Sequence, residues 1–97
     1  MPSPGTSGTP VTGTGQVSIA NFAFSPSAIS VKVGTTVTWT NNDSMTHTVT
    51  STSGPTSFDS GPRTAGQTFS YTFASTGTWN YWCSFHPSMT GTVTVTN

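Results

Sequence analysis

The sequence predicts an all-β domain, a Greek-key antiparallel β-sandwich of seven to eight strands, and three observations carry that expectation. Val, Thr, Phe, Tyr and Trp dominate the patterned part of the chain, and these side chains fit a pleated, half-buried surface. Apolar residues recur at every second position in short runs, with no stretch of helical periodicity. Gly, Pro, Asn, Asp and Ser interrupt the runs every several residues, as the turns of a sandwich require.

Residues 1–16, "MPSPGTSGTPVTGTGQ", lack the basic and apolar regions of a secretory signal and read as a flexible Pro/Gly/Ser/Thr-rich linker. The folded domain is expected over residues 17–97. Residues 17–24, "VSIANFAF", form the first expected strand, ended by Ser25 and Pro26. Ile29, Val31 and Val33 then share one face with Lys32 on the other. Gly34 and Thr35 turn the chain into residues 36–41, where Val37 and Trp39 alternate with threonines, so the two segments read as a hairpin with one apolar face. A short strand over residues 47–51 leads into a long loop with at most a brief strand near Phe58. Phe69, Tyr71 and Phe73 line one face of residues 68–73, "GTWNYWC" leads to Cys83, and Val93 and Val95 face inward in the last strand. Trp39, the three aromatics of residues 68–73 and Val31, Val33, Val37, Val93 and Val95 are the expected core.

Composition narrows the function. Ninety-seven residues make one domain. Lys32, Arg63, Asp43 and Asp59 are the only charged side chains and sum to zero, which leaves no basic surface for nucleic acid or anionic lipid. Asp43, Asp59 and Arg63 fall in turns and read as solvated. No apolar run reaches the roughly 20 residues of a membrane span. A single cysteine makes no internal disulfide and leaves a thiol to explain.

That thiol lies in "YWCSFHPSM", residues 81–89, which crowds Cys83, His86 and Met89 into one short stretch. Extended, i and i+3 side chains point to opposite faces; Ser84, Pro87 and Ser88 favour a loop in which all three converge. Thiolate, imidazole and thioether form the soft and borderline set that suits copper, two His and one Cys in a plane with a long axial Met. The chain's other histidine, His47, follows "WTNNDSMT" and completes a count of four donors with no histidine left over.

"YWCSFHPSMTGTVTV", preceded by "VTWTNNDSMTHTVT", resembles the small blue copper proteins, the cupredoxins of plastocyanin, amicyanin and pseudoazurin type, over nearly the whole domain. The Cys-x-x-His-x-x-Met spacing is most similar to amicyanin. The resemblance implies one copper ion per chain at a type 1 site, with His47, Cys83 and His86 as equatorial ligands and Met89 axial. It implies a one-electron carrier and not an enzyme. It also implies a periplasmic or extracellular location, its export signal absent from this sequence. Relatives commonly carry Asn after the first ligand histidine, where it locks the copper loops together; Thr48 stands there, so less of the lock is expected. Amides near Asn42 and Met89 are the expected donors to the Cys83 sulfur, which binds metal only as the thiolate. A redox donor and acceptor are expected to dock transiently near His86, beside Phe85, Pro87 and Met45, on a monomer with little electrostatic steering. Copper storage or delivery, a copper enzyme, and a metal-free stalk domain are the competing readings.

Overall fold

Alternation along the chain becomes two packed sheets in the computed structural model, which describes residues 11–13 and 15–97. Nine strands are assigned among them: β1 (Val11–Thr12), β2 (Gln16–Ala20), β3 (Ala23–Ser25), β4 (Ala28–Lys32), β5 (Thr36–Asn41), β6 (Thr50–Ser53), β7 (Thr68–Thr72), β8 (Gly77–Cys83) and β9 (His86–Thr96). One sheet has the order β1-β4-β9-β8-β6 and the other β3-β2-β5-β7. The all-β sandwich is as expected, with no helix among the described residues. The sheets are mixed, however: β1 with β4, β4 with β9 and β2 with β5 run parallel.

Three departures from the sequence reading have local causes. The first expected strand is two, because Asn21 and Phe22 take left-handed backbone angles, φ 52° and 58°, and fold β3 back on β2. Residues 29–41 are not a hairpin. The Gly34–Thr35 turn passes the chain from one sheet to the other, so β4 pairs with β9 while β5 pairs with β2 and β7. Val33 sits past the end of β4 and is exposed, whereas Ile29 and Val31 are buried as expected. The linker expectation for residues 1–10 lies outside the described residues; Val11–Thr12 pair with β4, and Gln16 already belongs to β2.

The core is aromatic. Trp39, Phe58, Phe73, Trp79 and Tyr81 are buried together, with Phe69 and Tyr71 packed against them, and Trp39 makes ring contacts with Phe58, Phe69, Phe73 and Tyr81. Such pairs prefer tilted and edge-on geometries and add to simple area burial. On the outer face of β5 and β7, hydroxyl pairs Thr36–Thr72 and Thr38–Ser70 at 2.7 and 2.8 Å do the cross-strand work that charges do in other sheets. A stiff sandwich of this kind fixes what its strand ends carry.

Candidate metal centre

Period-2 alternation delivers two of the expected donors to one end of the core. Trp79, Tyr81 and Cys83 are the inward residues of β8, and Met89, Gly91, Val93 and Val95 those of β9. Cys83 is fully buried and Met89 is 3% exposed, each the last inward position of its strand toward the Ser84–Phe85 connection. The two strands pair in step from Gly77↔Val95 to Trp82↔Thr90, and the next rung is Cys83↔His86. Pro87, Ser88 and Met89 therefore have no partners on β8. The looping expected across this stretch is a two-residue turn followed by slack inside the ladder, a large bulge of the kind that re-aims side chains. It sets His86 Nδ1 3.6 Å from Cys83 Sγ.

His47 arrives from the other sheet. It leaves β5 through residues 42–46 and is pinned by reciprocal backbone bonds with Arg63, His47 N–H to Arg63 O at 3.0 Å and Arg63 N–H to His47 O at 2.7 Å. The strand expected at residues 47–51 starts only at Thr50, because the intervening amides are committed elsewhere: Thr48 N–H to Cys83 Sγ and Val49 N–H to Ser60 Oγ. The imidazole is fully buried, with Nδ1 3.6 Å from Cys83 Sγ. The donor atoms of His47, Cys83 and His86 all lie within 4.8 Å of one another. Bonds of about 2.0 Å to nitrogen and 2.3 Å to sulfur in a trigonal plane put sulfur and nitrogen roughly 3.7 Å apart. The triangle thus has the size a first-row transition ion needs, in a donor set suited to copper.

The surrounding hydrogen bonds differ from the sequence expectation in three ways. The backbone donor to Cys83 Sγ is Thr48, at 3.4 Å, while the Asn42 amide is bonded to Ile19 O. Thr48 supplies the lock that its identity put in doubt: its Oγ1 accepts the Ser84 amide at 2.8 Å, with Ser84 Oγ and Thr50 Oγ1 at 3.1 and 3.0 Å. A hydroxyl oxygen with two lone pairs can replace an amide carbonyl there. Asp43 is not simply solvated. Its Oδ2 lies 2.9 Å from His47 Nε2 and accepts the Phe22 amide at 3.1 Å. The His47 side chain first, then the Phe22 and Ser44 amides, hold the Asp43 carboxyl below the ordinary carboxylate range, against an opposing effect of partial burial. Fully buried Asn41 braces this loop, donating to Met45 O and Arg63 O and accepting the Asp43 amide.

Sequence reasoning missed Asp43, Asn41 and Phe22. The Asp43–His47 spacing, four residues across an Asn/Asp turn, was the available signal for the first; nothing in the pattern marked the other two. Apolar side chains near the ligands in sequence or space are open: Phe22, Met45 and Phe85 are 47%, 48% and 53% exposed, and His86 is half-buried. Phe22 stands edge-on to both imidazoles, with ring centroids 5.4 Å from His47 and 4.9 Å from His86.

Known proteins resemble this chain in sequence and in structure. Residues 11–96 match the family described as copper binding proteins, plastocyanin/azurin family. Amicyanin-alpha of Methylorubrum extorquens is 38% identical over 86 residues, 86% of this chain and 72% of the relative. A purple cupredoxin from Nitrosopumilus maritimus superposes with a TM-score of 0.77 at 36% identity, covering 84% of this chain and 98% of that one. A Cu-containing nitrite reductase from Thermus scotoductus gives 0.79 at 29% identity, where 91% of this chain matches 22% of the enzyme. With a family match that spans nearly every described residue, the chain belongs to the plastocyanin/azurin family of copper binding proteins.

Proposed function

We propose that the chain is a one-electron carrier whose copper is held by His47, Cys83 and His86, with Met89 as a weak fourth ligand. The bound ion would supply a Cu(II)/Cu(I) couple. The observation that carries the reading is the buried Cys83 sulfur flanked at 3.6 Å by both histidine nitrogens, one thiol with all the imidazole the chain contains. The protein's part is to keep those donors still through a change of oxidation state. The aromatic core fixes Cys83 and Met89 at strand ends, the Thr48 amide donates to the Cys83 sulfur, and the Thr48–Ser84 bond ties the two ligand loops together. His86 is half-buried, against Cys83 through Nδ1 and against exposed Phe22 through its ring. A small apolar rim without net charge suits brief docking of a redox donor and acceptor.

Copper delivery by the same ligands is the second reading. Delivery needs a metal that can be handed on, and the full burial of His47 and Cys83 favours slow exchange. The nitrite reductase likeness concerns less than a quarter of that enzyme, and both histidines of this chain are already in the donor cluster. Neither supports a second reactive centre here, so we read the chain as a carrier and not an enzyme. A monomer in an exported compartment, periplasmic or extracellular, completes the proposal.

The test is a reversible one-electron voltammogram of the copper-loaded protein, alongside the rate at which a chelator strips it. Reversible cycling with stripping over hours supports the carrier; stripping within seconds would replace it with the delivery reading.

A further inference from the structure

Asn21, Asn41 and Asn80 have Ala23, Asp43 and Trp82 two positions on, but Asn42 has Ser44, which makes Asn42-Asp43-Ser44 an Asn-x-Ser triplet. With x other than Pro this is the acceptor pattern for N-linked glycosylation, a bulky, solubilising modification of surface loops in exported proteins. A triplet is short, so the fold has to decide whether a sugar can be carried there.

Asn42 directly follows β5. Asn41 is the last inward residue of that strand and is fully buried, so Asn42 falls on the outer side and is exposed. The backbone at this point is fixed, with Asn42 N–H donating to Ile19 O at 2.8 Å. The side-chain amide has two N–H donors; one goes to Ser18 Oγ at 2.8 Å, and the other has no partner among the described residues. A sugar on Nδ2 replaces one hydrogen and leaves the other, so the Ser18 bond survives the modification. Ser44 is exposed and held through its amide, which donates to Asp43 Oδ1 at 3.1 Å; its hydroxyl carries no structural duty among the described residues.

The surface gives such a sugar a use. Lys32, Arg63, Asp43 and Asp59 sum to zero, whereas a net charge away from zero is what ordinarily keeps small domains from associating. Hydroxyls cover the outer face of β5 and β7, and they are already bonded to one another, Thr36 with Thr72 and Thr38 with Ser70. A glycan supplies hydration and bulk without charge.

Resting on the exported location read above, we propose that Asn42 is an N-glycosylation acceptor, served by an oligosaccharide linked through pyrophosphate to a lipid. In the transfer Asn42 Nδ2 bonds to C1 of the first sugar. The C1–O bond to the pyrophosphate breaks, its electron pair leaves with the lipid pyrophosphate, and the displaced amide proton passes to a base of the transferase. Nothing is oxidised or reduced. The glycan then stands beside Asp43, whose Oδ2 is 2.9 Å from His47 Nε2, so it flanks the metal end of the sandwich while making no demand on the core.

The experiment is mass spectrometry of the protein isolated from the organism that makes it, fractionated into exported and intracellular pools. Cleavage after Lys32 and Arg63 isolates residues 33–63, which contain Asn42. In the exported pool this peptide should be heavier by a series of sugar residues, with the fragment ions placing the added mass on Asn42. Asn42→Gln and Ser44→Ala, made in the same organism, should each return the peptide to its unmodified mass; Ser44→Ala keeps the asparagine and so separates N-glycosylation from any other change at that side chain. Both variants should fold as wild type does and associate at lower protein concentration in light scattering. An unmodified peptide from the exported pool would overturn the proposal and leave the exported location standing. Protein found only inside the cell, with the peptide unmodified, would overturn both.

Discussion

The two histidines lie at the same distance, 3.6 Å, from one cysteine sulfur and side by side, ring centroids 5.1 Å apart, yet their surroundings differ. His47 is fully buried, backbone-pinned to Arg63 and hydrogen-bonded to Asp43. His86 is half-buried at the start of β9, directly after the Ser84–Phe85 turn and edge-on to exposed Phe22. The contrast teaches that identical donors are given separate tasks by the elements that carry them. The closed side is tied into the sandwich; the open side lies at the start of β9, and on the carrier reading proposed above it is where electrons would enter.

The sharpest way to break this comparison is to remove each ring in turn. His86→Gly leaves a gap at the surface, and added imidazole should restore the copper–thiolate spectrum. His47→Gly leaves a gap beneath Phe22, and the same imidazole should restore little of it. Equal rescue of both variants in a visible titration would show that the two sides are equally open.

The closed side should also be unforgiving of volume. At Gly91 an added methyl would run into the Tyr81 ring, in a core with no room to shift; Gly91→Ala is expected to cost about 1–3 kcal/mol in denaturant unfolding. Tyr81 brings a pH dependence of known sign. Its phenol and the Trp39 indole N–H are buried without a well-formed hydrogen bond to any described residue. Burial pushes the phenol well above its ordinary value of 10.0, and the nearby Trp39 only partly offsets this. The unfolded chain therefore loses this proton at lower pH than the folded one. The stabilisation is complete below that ordinary value and falls by about 1.4 kcal/mol per pH unit above it. Tyr81→Phe should remove that slope from alkaline unfolding curves.

Smaller effects are expected nearer the rim. Thr48→Val keeps the amide that donates to Cys83 but takes the acceptor from Ser84 N–H, and should cost about 1 kcal/mol with a shifted potential by voltammetry. Phe85→Ser should change stability by no more than about 0.5 kcal/mol and leave the spectrum intact, while slowing electron self-exchange measured by NMR line broadening. Because the chain carries no net charge, that exchange rate should barely respond to ionic strength.

How much of this was legible in the sequence follows from the range of the interactions. Cys83, His86 and Met89 could be grouped because their spacing and the turn residues Ser84, Pro87 and Ser88 are local; that Cys83 and Met89 end the inward rows of β8 and β9 is shown by the structure. The core was readable for the same reason. The crossing of residues 34–35 between sheets was not, since a Gly-Thr turn looks alike whether the next strand pairs beside the last or across from it. The Asn21–Phe22 turn was hidden because only Asn21 tolerates a left-handed backbone readily while Phe22 does not, and its hold on Asp43 spans 21 residues. Asp43 itself resembled any turn carboxylate until His47 was seen beside it. The exchange of Asn for Thr at position 48 looked like a loss because the sequence does not show that Ser84 N–H arrives within 2.8 Å of the hydroxyl.

The central claim is that Cys83, with His47, His86 and Met89, makes a type 1 copper site. It is tested most directly by visible absorption and EPR spectra of the purified protein as one equivalent of Cu(II) is added, with Cys83→Ala in parallel. The account predicts an intense copper–thiolate band and a narrow copper hyperfine splitting in wild type, both absent from the variant. A colourless protein, or an ordinary tetragonal copper spectrum that is the same with and without Cys83, would contradict it.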